Sequence, residues 1–212
     1  QRIVNSILDV KKLKENDIWV DIACNDGTMF DFIPDNVIKI GIDPVDNTYK
    51  EESEKKADLI IQDYFTSETY KKSKFGSQKA KIVTSIAMFY DLEDISPFVQ
   101  DVYDCLDDEG IWHFEQSYMP SMIRMMAYDT ICHEHTEYYG MISITKILEK
   151  HGFDIADVIT NSINGGSFAI TAIKKTNQKI KKNKTVIDWM INREYSLGYH
   201  TPIPYIEFAK KV

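Results

Sequence analysis

The amino-acid sequence predicts an α/β fold: a doubly wound, mostly parallel sheet of seven strands that ends in an antiparallel hairpin. Three observations carry this. Short, dense apolar runs such as Ile18-Trp19-Val20-Asp21-Ile22 and Leu59-Ile60-Ile61 suit strands covered on both faces, as a parallel sheet requires. Stretches with apolar residues at helical spacing alternate with those runs. Two late strands are joined through Asn161-Ser162-Ile163-Asn164-Gly165-Gly166, which has the turn chemistry of a hairpin.

In chain order, Ile3, Val4, Ile7 and Val10 recur near helical spacing, and Asn16-Asp17 breaks the pattern before the first strand, Ile18 to Ile22. Val37 to Ile42, Leu59 to Ile61 and Lys81 to Ile86 are the second, third and fourth strands. Ile95, Phe98, Val99, Val102 and Leu106 mark one helix face, after which Asp107-Asp108-Glu109-Gly110 turns into a fifth strand at Ile111 to Phe114. The next helix carries Ile144, Ile147, Leu148 and His151, with Ser143 as its N-cap and Gly152 as its stop. The hairpin strands run from Ile155 to Thr160 and from Phe168 to Ile173. A helix from Thr185 to Leu197 turns Ile187, Met190 and Ile191 inward, and Thr201-Pro202-Ile203-Pro204 leads into a short amphipathic tail. Residues 1–175 are therefore expected to form one domain, and 176–212 a helical tail that opens a further domain or acts as a linker. A start at Gln1 and an end on Ala209-Lys210-Lys211-Val212 are what a piece of a longer protein would show.

Composition narrows the function classes. With 212 residues, 43% hydrophobic and 12% aromatic, the chain can bury a sizeable core. Its formal charge of −8 argues against a nucleic-acid binder, which needs clustered Lys and Arg to neutralise phosphates. The local run Lys174, Lys175, Lys179, Lys181, Lys182 and Lys184 has no interleaved aromatics and reads as a solvated linker. Cys24, Cys105 and Cys132 are odd in number and spread out, which points to a reducing cytoplasm. No apolar run approaches the roughly 20 residues of a membrane span, and no signal-peptide core is seen, so no membrane association is expected.

The chemistry concentrates in two places. Asp21-Ile22-Ala23-Cys24-Asn25-Asp26-Gly27 ends the first strand and enters a helix, where open α/β sheets bind nucleotide-like ligands. Gly27 lets the backbone approach a ligand, and Ala23 and Cys24 leave room. Asp43 closes the second strand, where a carboxylate can accept hydrogen bonds from both hydroxyls of a ribose. Asp63 follows the third strand, within reach of an adenine amino group. Carboxylates at the ends of three successive strands point to an adenosyl-type cofactor, with Asn25, Tyr64 and Ser85 as further candidate contacts. A dinucleotide fits less well, because no G-x-G-x-x-G is present.

The second place is Asp129-Thr130-Ile131-Cys132-His133-Glu134-His135-Thr136-Glu137-Tyr138-Tyr139. Zinc is one reading, but Cys132, His133 and His135 are too tightly spaced to encircle a tetrahedral ion, and no metal is expected. A polar loop whose histidines satisfy buried carbonyls is a second reading, and catalysis or substrate contact a third.

The run Val20 to Thr28 resembles motif I of class I S-adenosylmethionine-dependent methyltransferases, in the asparagine-aspartate-glycine form of the sugar C-methyltransferases. It departs from the general glycine-rich pattern at Ala23 and Asn25. The resemblance continues through Phe89 to Asp94, Phe114 to Tyr118, Tyr128 to Tyr139 and Asn164 to Phe168, so it covers most of residues 17–175. It implies a Rossmann-like fold, S-adenosylmethionine as cofactor, and C-methylation alpha to the carbonyl of a nucleotide-linked keto sugar. His135 would be the base and Glu134 its support; some relatives carry a tyrosine at Cys132 and a histidine near Phe89, and Tyr90, Tyr138 or Tyr139 is placed to supply a phenol instead. Family members have a zinc-binding module before this domain and a further α/β domain after it, so further domains or a second copy are the expected partners besides the small-molecule substrate. An O- or N-methyltransferase, or a non-catalytic cofactor-binding or assembly domain, stands as the alternative.

Overall fold

The computed structural model describes residues 1–212, apart from the Asn164 side chain, which lies outside the described part of the predicted hairpin turn. Strands β1 (Ile18–Ile22), β2 (Ile38–Ile42), β3 (Leu59–Ile61), β4 (Ala80–Ile86), β5 (Leu106–Ser117), β6 (Phe153–Asn161) and β7 (Ser167–Lys174) form one sheet in the order β3-β2-β1-β4-β5-β7-β6. The first five run parallel, and β7 inserts antiparallel between β5 and β6. Among the described residues eight α-helices accompany them: α1 (Arg2–Val10), α2 (Asn47–Glu54), α3 (Ser67–Lys71), α4 (Ile95–Cys105), α5 (Met119–Met125), α6 (Met141–Lys150), α7 (Lys184–Ser196) and α8 (Ile203–Lys211).

Strand alternation sorts the apolar residues onto two faces. Ile18, Val20 and Ile22 join Phe114, Phe153 and Phe168 in the larger core, while Trp19 packs with Val4, Ile7 and Phe30 on the other face. Phe89, Trp112 and Phe114 form the aromatic centre of the larger core, with ring centroids 4.5 to 5.8 Å apart. Helix α7 adds Ile187 and Met190 to this core, and Ile191 packs at its margin. The tail therefore covers the hairpin side of the sheet as far as α7. Helix α8 meets α5 through Phe208 in a small cluster with Met119 and Met122.

Three local expectations need correction. The loop after β1 enters a short 3-10 turn, Thr28–Phe32, because Pro34 holds Ile33 extended and stops a longer helix. The acidic run Asp107 to Gly110 is a bulge inside β5: Leu106 pairs with Ala80 and Ile111 with Ile82, so four residues loop out against one. Ion pairs from Asp107 to Lys81, Asp108 to Lys174 and Glu109 to Lys179 pin that bulge. Ser143 sits at the third position of α6; the N-cap is Gly140, whose N–H donates to Ser143 Oγ at 3.1 Å.

Candidate functional site

From β1 the chain moves to β2, and from β4 it moves the opposite way to β5, so the strand order reverses between the neighbours β1 and β4. The crevice outside the C-terminal strand ends at such a reversal is where open α/β sheets bind ligands. Asp21, the last residue but one of β1, is 4% exposed, and its Oδ1 accepts from Thr84 Oγ1 at 2.6 Å. Thr84 in turn accepts from the Trp19 indole at 3.0 Å, so one relay ties β1 to β4. Burial pushes the Asp21 carboxyl up to about 7, and the nearby Asp43 adds to the rise.

After Asp21 the backbone turns left-handed at alternate residues, with φ of 58° at Ala23, 50° at Asn25 and 70° at Gly27. A Cβ at Gly27 would lie 2.9 Å from the Phe30 ring and 3.0 Å from Ser53 Cα, so glycine is required there. Ala23 and Asn25 hold the same conformation at a cost of about 1 kcal/mol or more each, and such strain collects at ligand loops. Cys24 is not free space for a ligand: its sulfur packs where a Cβ on Gly41 would stand, and burial keeps its thiol protonated.

Asp43 is 5% exposed at the end of β2. Its Oδ2 accepts from Asn25 N at 2.8 Å and its Oδ1 from Val45 N at 3.0 Å, so one strand end organises the loop of the other. Each oxygen keeps a second lone pair for a ligand hydroxyl. Asp63 and Tyr64 stand at the rim, Tyr64 being 75% exposed and its N–H bound to Asp63 Oδ1 at 2.8 Å. Ser85 is fully buried, and its hydroxyl accepts from Trp112 Nε1 at 3.0 Å, which commits that side chain to the core.

The loop from Thr130 to Tyr139 is tied at one point to the chain after β4 and, through Tyr139, to the chain after β5. Tyr90 O accepts from Thr136 N at 3.0 Å and from Thr136 Oγ1 at 3.0 Å, which straps the loop to the chain after β4. The imidazole of His135 lies 4.3 Å, centroid to centroid, from the Tyr90 ring. Its Nδ1 donates to Thr130 O at 2.8 Å, so Nε2 carries the free lone pair. Tyr138 donates to the same carbonyl at 3.2 Å. Glu134 turns outward: its Oε1 is 4.0 Å from His133 Nε2, and both side chains are exposed. Asp91 is a carboxylate the sequence did not single out; burial raises its carboxyl and His135 opposes the rise, so it stands within electrostatic reach of the imidazole. Among the described residues no group of three or more His, Cys, Asp and Glu is placed to hold a metal ion.

Residues 1–158 match the family described as a methyltransferase domain. The chain belongs to that family. It is 24% identical over 210 residues to the C-methyltransferase NovU of Streptomyces niveus, covering 99% of this chain and 49% of that protein. The chain thus spans about half the length of the curated relative it matches. Among solved structures it resembles a methyltransferase of Bacillus halodurans, with a TM-score of 0.60, 11% identity, and 82% and 99% of the two chains covered. Magnesium protoporphyrin IX methyltransferase of Synechocystis PCC 6803 with bound S-adenosylhomocysteine gives 0.60 at 13% identity, covering 82% of each chain.

The cofactor of the methyltransferase domain is S-adenosylmethionine, and the residues present fit it. A glycine cradle that a Cβ would fill, a buried strand-end carboxylate with spare lone pairs and a second buried carboxylate beside it suit a ribose and an ammonium group. The buried Asp21 carries a pH signature. Its folded pKa lies above that of the unfolded chain, so the folded state holds an extra proton between about pH 4 and 7, and the stability this supplies is lost as pH rises through about 7. Asp21→Asn keeps the acceptor for Thr84 without the charge. Urea unfolding without cofactor should find the variant a few kcal/mol more stable at pH 8, with the gain shrinking toward pH 4.5; an equal gain at both values would place the effect elsewhere.

Proposed function

We propose that the methyltransferase domain methylates a carbon next to the carbonyl of a nucleotide-linked keto sugar, through an enolate. The carrying observation is the bond from His135 Nδ1 to Thr130 O, which fixes the tautomer and leaves Nε2 as a proton acceptor on a loop tied to the chain that follows β4. In this reading Asp21, the Ala23 to Gly27 loop and Asp43 bind S-adenosylmethionine, Asp63 and Tyr64 stand at the adenine side, and Ser85 supports the strand end from within. When bound, the cofactor supplies an electrophilic methyl for the nucleophilic carbon.

His135 Nε2 takes the proton from that carbon, and the C–H electron pair passes into the carbonyl to form the enolate. The Thr130 carbonyl orients the ring, and the negative field of Asp91, with Glu134 further out, favours the imidazolium product. Burial keeps the Tyr90 phenol protonated, so it can donate to the developing oxyanion, and Tyr138 holds the shared carbonyl in place. The chemistry is testable without methyl transfer. Incubated in deuterated buffer without methyl donor, a keto-sugar nucleotide should gain deuterium alpha to its carbonyl at a rate that depends on the protein. Methylation of an oxygen or nitrogen with no such exchange would replace the enolate reading by simple nucleophilic displacement.

A further inference from the structure

A cavity of about 500 Å³ opens beside the hairpin, away from the β1–β4 crevice, lined by residues of α5, α7 and the turn between β6 and β7. Its charges are unusual for this chain. The sequence has three arginines and a net charge of −8, yet Arg124 and Arg193 both line this one cavity. Neither forms an ion pair among the described residues, whereas Arg2 is paired with Glu115. Both guanidiniums act on the Tyr199 hydroxyl at the cavity wall, which brings their fields to one place. Among the described residues Glu194 is the one acid in the lining; it is 2% exposed, accepts from Tyr118 Oη, Met141 N and Ile142 N, and opposes the guanidiniums at Tyr199, which leaves two cations against one anion.

An aromatic surface completes the cavity. Trp189 precedes Arg193 by one helical turn of α7, so indole and guanidinium lie side by side on one face. The indole is 66% exposed, while Trp19 and Trp112 are fully buried. Two unpaired guanidiniums are fitted to bridge a diphosphate, and an open indole offers a stacking face to a planar base. The volume lies within the range of small-ligand sites.

We infer that this cavity is a subsite for the nucleoside diphosphate part of the substrate, with Arg124 and Arg193 on the phosphates and Trp189 against the base. This deepens the nucleotide-sugar reading and rests on it. The position suits the role. The residues at the end of β6 that line the cavity stand three strands from β4 in the sheet order, on the order of 14 Å at ~4.8 Å per strand, and on the same edge as the crevice. A whole nucleotide-linked sugar is longer than that span, so a base and diphosphate held at this cavity let the sugar extend toward the crevice.

The test uses uridine diphosphate and inorganic pyrophosphate as probes, with Trp189 emission and calorimetry as readouts. Uridine diphosphate should perturb the exposed tryptophan, and Arg124→Gln and Arg193→Gln should each weaken its binding about tenfold. Trp189→Leu should weaken uridine diphosphate but leave pyrophosphate unchanged. All three side chains are exposed, so the fold is not at risk, and affinity for S-adenosylmethionine should not move. If uridine diphosphate binds equally well to the double arginine variant, the subsite is wrong while the nucleotide reading stands. If neither probe binds at millimolar concentration, the subsite is likewise overturned, and deuterium exchange into the keto sugar still reports on the enolate reading separately.

Discussion

His135→Ala is expected to lower turnover by about 10³-fold, within the 10²–10⁴ range for a positioned general base, while S-adenosylmethionine binds as before. The separation follows from where the groups sit. His135 belongs to the loop strapped to Tyr90 O, whereas the cofactor-binding candidates Asp21 and Asp43 belong to strand ends held by Thr84 and by the backbone of Asn25 and Val45. The ring makes one hydrogen bond, to Thr130 O, and lies tilted against Tyr90, so its removal leaves the sheet intact. Steady-state kinetics and cofactor calorimetry on the same preparation check this. Activity within tenfold of the parent would assign the base elsewhere, and Glu134→Gln, which changes only an outward carboxylate, should be the milder variant.

Glu194→Ala is expected to destabilise the domain by about 3–5 kcal/mol, because three charge-assisted hydrogen bonds to a buried carboxylate vanish together. Its oxygens receive Met141 N at 2.6 Å, Ile142 N at 2.9 Å and Tyr118 Oη at 2.7 Å, so it serves as the N-terminal cap of α6 and as a clamp on the end of β5. Two helix-end N–H groups and a half-buried phenol would lose their partner. For a domain of this size the loss corresponds to roughly 10 °C in midpoint temperature. Glu194→Gln retains an acceptor for one or two of the donors and should fall between the variant and the parent. Thermal unfolding followed by circular dichroism measures both, and a midpoint for Glu194→Ala equal to the parent's would mean that water replaces the carboxylate.

The strands were legible because each holds a short, dense apolar run: Ile18 to Ile22, Leu59 to Ile61 and the two hairpin strands appear within a residue or two of their expected bounds. The gathering of Asp21 and Asp43 was legible for a related reason, since carboxylates at strand ends fall in one place once the sheet is parallel. The local signals failed where a distant residue decided the outcome. Ser143 looked like the cap of α6, but Glu194, some fifty positions later, fills that role and makes Gly140 the boundary. Ser85 looked available at a strand end, but Trp112 takes its hydroxyl. Glu134 looked like the partner of His135 because it adjoins it, yet adjacent residues in a loop point apart, and a backbone carbonyl five positions back makes the contact.

The sequence by itself determined the fold class, the seven strands in chain order, the strand-end carboxylates and the loop that carries the imidazole, because hydrophobic periodicity and turn chemistry are short-range properties written in neighbouring residues. Only the tertiary structure decided which partner each polar group has: the tautomer of His135, the neighbourhood of Asp91, the cap from Glu194 and the meeting of Arg124 with Arg193. Hydrogen bonds and ion pairs are settled by distances of a few ångström between groups far apart along the chain, and those distances exist only once the sheet has brought its edges together.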